Sequence, residues 1–431
     1  HYMNAYGVYL DADMLRNVLH TDRKESSELL SVRLLIPLLL SLLPIALLWR
    51  VRLQPRSWRR ALGMRAGFLL VVVLVGAGGV QLAARDITSM IRNHHEIRYL
   101  VTPANYLVSL VNVLLSSPPG PKPALLPIGM DASQKPRAEG SKPRLLVLVV
   151  GETARAQNWG LNGYARQTTP ELSQIEGLVN FPHVTSCGSS TEVSLPCMFS
   201  SYGRKDYDED KIRSHQSLLH VLDHAGIATL WRDNQSGCKG VCDGLPTQRL
   251  EDEQDAGLCN GKRCVDEILL KDLQVQISPG NGDRVVVLHQ LGNHGPNYFE
   301  RYPARFRRFT PTCENPELGQ CARQEIINSY DNALLYTQQE YETALVYVSD
   351  HGESLGEKGL FLHGVPYAIA PQEQIHVPMV MWFSPGFTSD ARLDMQCLRN
   401  ESAKSLSHDN LFSSLLGLME VVTPEYQRSD D

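Results

Sequence analysis

Arg144-Leu145-Leu146-Val147-Leu148-Val149-Val150-Gly151-Glu152-Thr153 sets six apolar residues in a row and ends them on a glycine, a carboxylate and a hydroxyl. A short apolar run closed by a turn residue is the pattern of a strand buried on both faces of a parallel sheet. Four more such runs follow, at 227–231, 284–289, 344–349 and 377–383, separated by helical segments. Strands alternating with helices predict an α/β domain with a largely parallel sheet over residues 144–431.

The residues that close these runs are polar. The first run ends in Gly151-Glu152-Thr153, the second in Asp233-Asn234-Gln235-Ser236, the third in Gln290-Leu291-Gly292-Asn293-His294-Gly295 and the fourth in Asp350-His351-Gly352-Glu353. Ligands bind beyond the carboxyl ends of strands in open α/β sheets, so these four clusters are predicted to share one rim. Glu152, Asp350 and His351 supply two carboxylates and an imidazole, a donor set that suits zinc or, less selectively, manganese. An Asp-His pair at a strand end is by itself more often a structural hydrogen bond. His294 and His363 each sit in a loop framed by glycine and proline, not on an apolar face.

Between the first two runs lies Ser186-Cys187-Gly188-Ser189-Ser190-Thr191-Glu192-Val193-Ser194-Leu195-Pro196-Cys197. If Glu192 opens a helix, Thr191 stands at or near its N-cap, where free N–H groups favour an oxyanion. Alone this reads as an ordinary cap in a stapled loop. Beside a metal, the threonine hydroxyl becomes a candidate nucleophile, because coordination to a divalent cation stabilises its alkoxide. The electrophile is then anionic, since the metal, the helix start, Lys239 and the histidines all favour negative oxygens. Phosphoryl transfer through a phosphothreonine is the reaction this predicts.

All nine cysteines lie beyond Ala84, and eight fall into close neighbours: Cys187 and Cys197, Cys238 and Cys242, Cys259 and Cys264, Cys313 and Cys321. Four local disulfides in an oxidising compartment are predicted, in preference to a zinc knuckle, whose paired cysteines are spaced more tightly. Cys397 is left over, either paired with a cysteine upstream of this sequence or a buried free thiol.

Further upstream, residues 116–143 hold seven prolines with glycine, serine and lysine, which predicts an extended linker between two domains. Before it, apolar runs at about 32–49 and 66–84 are each long enough to cross a bilayer. Arg50, Arg52, Arg56, Arg59, Arg60 and Arg65 lie between them without an acid, so that loop is predicted to be cytoplasmic and the large domain to lie on the opposite side. Residues 1–115 are thus read as a partial transmembrane domain, with outer-face helices at 13–30 and 86–115. On the first of these, Asn17, Thr21 and Glu25 recur every four residues and line one face, able to meet a lipid head group. The sequence opens on His1, which is read as the later part of a longer chain. A net charge of −6 gives no basic field, and nucleic acid is not an expected partner.

Together, Gly-Glu-Thr-Ala-Arg (151–155), Cys-Gly-Ser-Ser-Thr-Glu-Val-Ser-Leu-Pro-Cys (187–197), Asn-His-Gly-Pro (293–296), Ser-Asp-His-Gly-Glu-Ser-Leu-Gly-Glu (349–357) and Leu-His-Gly-Val-Pro-Tyr (362–367) resemble the lipid A phosphoethanolamine transferases. These belong to the alkaline phosphatase and sulfatase superfamily and include the mobile colistin-resistance enzymes. The resemblance implies a zinc held by Glu152, Thr191, Asp350 and His351, with Thr191 as nucleophile. It places Lys239, His294 and His363 around the transferred phosphate, the histidines either binding a second zinc or serving as acid and base. Ser189 and Ser236 match positions that hold the head group, although Ser189 and Gln235 depart from the threonine and asparagine usual in relatives. Asn17, Thr21 and Glu25 match a helix that engages the lipid donor. Members usually carry five membrane helices, where two are read here.

The implied enzyme is a monomer of the bacterial inner membrane, multi-pass, with its catalytic domain in the periplasm. It moves phosphoethanolamine from phosphatidylethanolamine to Thr191 and then to lipid A, lowering the negative charge that polymyxins bind. The rival readings are a phosphoglycerol transferase of the same superfamily and a membrane-tethered binding protein with a dead metal site. A sulfatase is disfavoured, because Cys187 begins Cys-Gly-Ser and not the Cys-x-Pro-x-Arg from which formylglycine is made.

Overall fold

The structure is a computed structural model, and it describes residues 3, 11–20, 35–51, 57–82, 102, 104–116, 124–137, 141–261, 263–277, 282–336 and 344–431. Its centre is an eight-stranded sheet. In chain order the strands are β1 (Leu145–Gly151), β2 (Val179–Thr185), β3 (Ala228–Asp233), β4 (Thr247–Arg249), β5 (Arg284–His289), β6 (Ala344–Ser349), β7 (His376–Phe383) and β8 (Leu406–Ser407). Their spatial order is β8-β2-β7-β6-β1-β5-β3-β4. All five runs expected from the sequence are strands, within a residue or two at their ends.

Neighbours from β6 through β1, β5 and β3 to β4 pair in parallel. Only β7 runs against the rest, antiparallel to both β6 and β2. Two reversals restore direction, so β2 points the same way as β6 and its carboxyl end joins the same rim. Both faces are covered, which explains the near-continuous apolar strands. Leu146, Leu148 and Val150 pack on one face with Leu195, Phe199 and Trp231. Val147 and Val149 pack on the other with Trp159, Tyr298 and Tyr330.

β2 was absent from the sequence expectation because Asn180, Pro182 and His183 leave it no continuous apolar run. The structure accommodates the proline at an irregularity: the register between β7 and β2 shifts between Val377 and Met379, opposite the stretch that holds Pro182. A proline without an N–H fits where the ladder is already broken.

The N-terminal region differs from expectation in its boundaries. Helix α1 spans Ala12–His20, α2 Leu35–Trp49, α3 Trp58–Leu82 and α4 Ala104–Ser116. α3 therefore starts eight residues before the expected Ala66, and Arg59, Arg60 and Arg65 ride on its first turns instead of in the loop. Nothing from Trp58 to Ala66 except Gly63 opposes a helix, and arginine stems can run along an apolar helix while their charges reach out. Residues Trp58–Gly79 form the one helix among the described residues long and apolar enough to cross a membrane, and none of that window is buried. α2 is 15 residues long, shorter than a span. Thr21, Glu25 and residues 86–101 lie outside the described residues.

The proline-rich stretch, expected as an extended linker, is in part fastened to the large domain. Leu126 bridges His215, Ser133 and Gln134 pair with Val422 and Val421, and Arg137 binds Asp283 at 2.6 Å. The four disulfides pair as the spacing predicted. Cys397 is an exposed free thiol, not a buried one.

Candidate active site

The site is built where β1, β2 and β6 end. β1 finishes at Gly151 and presents Glu152; β6 finishes at Ser349 and presents Asp350 and His351. The strands are neighbours in register, Gly151 opposite Ser349, and the Asp350 N–H donates to the Gly151 carbonyl at 2.9 Å. β2 delivers the loop 186–190, after which helix α5 (Thr191–Met198) begins. Ser190 takes the N-cap position and Thr191 the first helical one, so the threonine hydroxyl points off the helix start towards the strand ends.

Thr191 Oγ1 lies 3.0 and 3.2 Å from the two carboxylate oxygens of Glu152 and 3.2 Å from His351 Nε2. His351 Nε2 in turn lies 3.3 Å from Glu152 Oε1 and 3.4 Å from Asp350 Oδ2. The donor atoms of Glu152, Asp350 and His351 fall within 4.8 Å of one another, and all three residues are buried. Four donors on a tetrahedron with bonds of about 2.0–2.1 Å stand roughly 3.3 Å apart, which matches these separations. Asp350 Oδ2 has no hydrogen-bond partner although it is buried, while Oδ1 accepts from the N–H groups of His351 and Thr153. The His351 Nδ1–H donates to the Gly352 carbonyl at 2.8 Å, which leaves Nε2 facing the carboxylates, as in imidazoles that ligate metals. The residues present therefore fit a zinc-sized cation.

Glycine makes two of these approaches possible. A Cβ on Gly352 would sit 2.1 Å from the Glu373 carbonyl oxygen, and one on Gly292 would sit 2.7 Å from that of Glu152.

The electrostatics of the cluster carry the same message. Burial pushes the Asp350 carboxyl up to about 7, with the Glu152 charge adding to it. Burial acts to lower the His351 imidazole, but Asp350 and Glu152 outweigh it and raise it to about 10. Burial acts to raise Glu152, yet the hydrogen bond and charge of His351, then His294 and His363, hold it well below the usual carboxylate range. Two carboxylates thus draw one positive charge into the space between them.

The other expected site residues gather around this centre unevenly. The His363 ring lies 4.4 Å from that of His351 and 5.5 Å from that of His294, so the three imidazoles form a row. The Lys239 Nζ donates to Ser236 Oγ at 2.7 Å, and the Gln235 amide beside it lies 3.4 Å from Glu152 Oε2. Ser189 turns its hydroxyl to the Val365 carbonyl, tying the nucleophile loop to the His363 loop. Asn17 is half-buried on α1, whose Met14 packs against Gly364, next to His363.

Several contributors were given no role by the sequence reading. Glu353 lies fully buried with Oε2 3.4 Å from His363 Nδ1. His289 ends β5 and pairs with Asp233 at 2.8 Å beneath the rim. His408, two residues beyond β8's Leu406, accepts from the Cys187 N–H at 3.1 Å and donates to the Ser349 carbonyl at 3.0 Å. Ser194 Oγ donates to the Asp350 carbonyl at 2.5 Å. His289 stood in plain view at a strand end; a lone histidine between Ser407 and Asp409 carries no pattern.

Comparison with known proteins decides the family. A Sulfatase family model matches residues 144–421, and one described as phosphoethanolamine transferase EptA/EptB matches residues 1–117. Phosphoethanolamine transferase EptA of Escherichia coli (strain K12) is 39% identical over 450 residues, covering 100% of this chain and 82% of that protein. The chain belongs to the phosphoethanolamine transferases. Phosphatidylethanolamine transferase Mcr-1 of Escherichia coli is 37% identical over 446 residues, covering 98% of this chain and 81% of that protein. The solved structure of the integral membrane protein lipooligosaccharide phosphoethanolamine transferase A (EptA) from Neisseria meningitidis superposes with a TM-score of 0.94 at 40% identity, covering 100% of this chain and 83% of that one. As a phosphoethanolamine transferase the chain is an enzyme, with a sulfatase-like sheet joined to a helical membrane region.

Proposed function

We propose that this transferase carries phosphoethanolamine from phosphatidylethanolamine to lipid A by way of Thr191. The observation that supports this most is the convergence of the Thr191 hydroxyl, Glu152 and His351 within 3.0–3.2 Å at the start of a helix. Glu152, Asp350, His351 and Thr191 are the residues that would hold a zinc ion. When bound, the cation supplies positive charge that favours the ionised form of the threonine hydroxyl and neutralises a phosphoryl oxygen.

The chain's own residues do the rest. Glu152 accepts the hydroxyl's hydrogen bond and orients Oγ1 towards the donor's phosphorus. Attack forms the phosphothreonine and releases diacylglycerol. His294 and His363, together with Lys239 and Ser236, would receive the phosphate and its ethanolamine, and the histidines would hand a proton to the leaving oxygen. An acceptor phosphate then takes the group from Thr191. Whether the two histidines bind a second zinc is decided by metal content with and without His294→Ala.

The exposed apolar α3 supports an inner-membrane location, and the four disulfides support a periplasmic catalytic domain. Asn17, Thr21 and Glu25 are proposed to meet the lipid donor, Asn17 from a helix that touches the His363 loop. Mass spectrometry of lipid A from cells expressing the protein tests the reading. A phosphoethanolamine increment that vanishes with Thr191→Ala is expected; a phosphoglycerol increment, or none, would reject it.

A further inference from the structure

Beyond the end of α5 the chain makes a tight turn at Gly203 and presents Arg204. The guanidinium carbon lies over two rings, 3.7 Å from the centre of Tyr367 and 4.6 Å from that of Tyr207. Arg204 is half-buried, and among the described residues no carboxylate pairs with its guanidinium. Asp409 lies alongside, but its oxygens accept from the backbone N–H groups of Arg204 and Lys205; the Lys205 side chain is itself paired with Asp430. A guanidinium held over aromatic faces with no carboxylate partner keeps N–H groups that can match two oxygens of a phosphate.

Its position ties it to the reaction. Tyr367 ends the segment that carries His363, and its hydroxyl donates to the Ser186 carbonyl at 3.1 Å, where the nucleophile loop begins. Tyr207 precedes helix α6 (Glu209–Ser214), and Glu209 receives Arg16 from α1. Arg204 therefore stands on the flank where the membrane region meets the catalytic domain, connected by one ring to the loops that hold Thr191.

We propose that Arg204, held over the rings of Tyr207 and Tyr367, is the receptor for a phosphate monoester of the lipid acceptor. The inference rests on the two-step reading above and names what that reading leaves open, the group that recognises the second substrate. A phosphate monoester carries close to two charges and three free oxygens. The phosphodiester of the donor carries one charge beside an ammonium, so a bidentate guanidinium discriminates for the acceptor. In the second step an acceptor phosphate oxygen forms a new bond to phosphorus, the bond to Thr191 Oγ1 breaks, and that oxygen keeps the electron pair and takes a proton from solvent.

The test separates the two steps. Full-length protein in detergent is charged with phosphatidylethanolamine alone, and the adduct on Thr191 is followed by intact mass; lipid A or buffer alone is then added. Arg204→Gln is expected to charge at the wild-type rate and to discharge to water at the wild-type rate. Its discharge to limiting lipid A should fall by about tenfold to a hundredfold, the loss of a charge-assisted hydrogen-bonded pair. Tyr207→Leu, which removes one of the two rings, should slow the same step by less. Discharge of Arg204→Gln to lipid A at the wild-type rate overturns the proposal, and so does an equal fall in all three rates, which marks a structural role. A wild-type protein that never charges overturns the two-step reading, and this inference with it.

Discussion

His408 offers a prediction in which the size follows from the structure. Its ring is fully buried and both nitrogens are committed to backbone: Cys187 N–H can only donate, so Nδ1 must be bare, and the Ser349 carbonyl can only accept, so Nε2 must carry the proton. Burial, with a small contribution from the His351 charge, lowers its pKa from 6.5 to about 3. The unfolded chain therefore binds a proton below pH 6.5 that the folded protein refuses until about pH 3, and stability falls as pH drops through that window. Between pH 7 and pH 5 this one group removes about 2 kcal/mol, because the proton taken up only by the unfolded chain, integrated over the interval, amounts to roughly 1.4 pH units at 1.36 kcal/mol per proton and pH unit. The perturbation is His408→Gln, which keeps a donor for Ser349 but leaves the Cys187 N–H without its acceptor, at a cost of about 1–3 kcal/mol at pH 7. Urea unfolding of the metal-free protein at both pH values, for both proteins, isolates the difference, because every other titrating group is shared. The variant should lose about 2 kcal/mol less than the wild type on acidification. Equal losses would refute the assignment of a neutral, doubly bonded imidazole.

Three further outcomes follow from particular contacts. Arg213 holds the buried Glu192 at 2.9 Å, so Arg213→Met should destabilise by about 3–5 kcal/mol in urea melts, with part recovered in the double variant that also carries Glu192→Leu. The Cys187–Cys197 bridge closes a separation of 10 residues around the nucleophile, and replacing both cysteines by serine should cost about 3 kcal/mol by the same measurement. Gly352→Ala would press a methyl group onto the Glu373 carbonyl and displace the carbonyl that orients His351, so zinc affinity measured by chelator competition should fall by about 10–100-fold.

Much of this architecture was legible in the sequence, for an identifiable reason. Strands of a sheet covered on both faces must be apolar throughout, which makes β1, β3, β5, β6 and β7 visible as runs; the residue after each run then falls at the rim by geometry alone. Glu152, Asp350 and His351 were found in that way. β2 was hidden because Asn180, Pro182 and His183 break its apolar run, and the proline is accommodated only where the register with its antiparallel partner shifts. β4 and β8 are two or three residues long at the sheet edges and have no pattern to read. The start of α3 was misplaced because apolarity marks the part of a helix inside a membrane, not the turns that extend from it. His408 and Ser194 act through contacts across 221 and 156 residues, and no local spacing announces them, while Glu353 stood in the fourth rim cluster without its contact to His363 being legible.

The account stands on Thr191 as the residue that carries the transferred group. Peptide mapping by mass spectrometry, on zinc-loaded protein incubated with phosphatidylethanolamine and no acceptor, measures this directly. Phosphoethanolamine on Thr191, absent after Glu152→Gln, is the predicted result. An adduct on any other residue, or an unmodified protein that still transfers the group to lipid A, would contradict it.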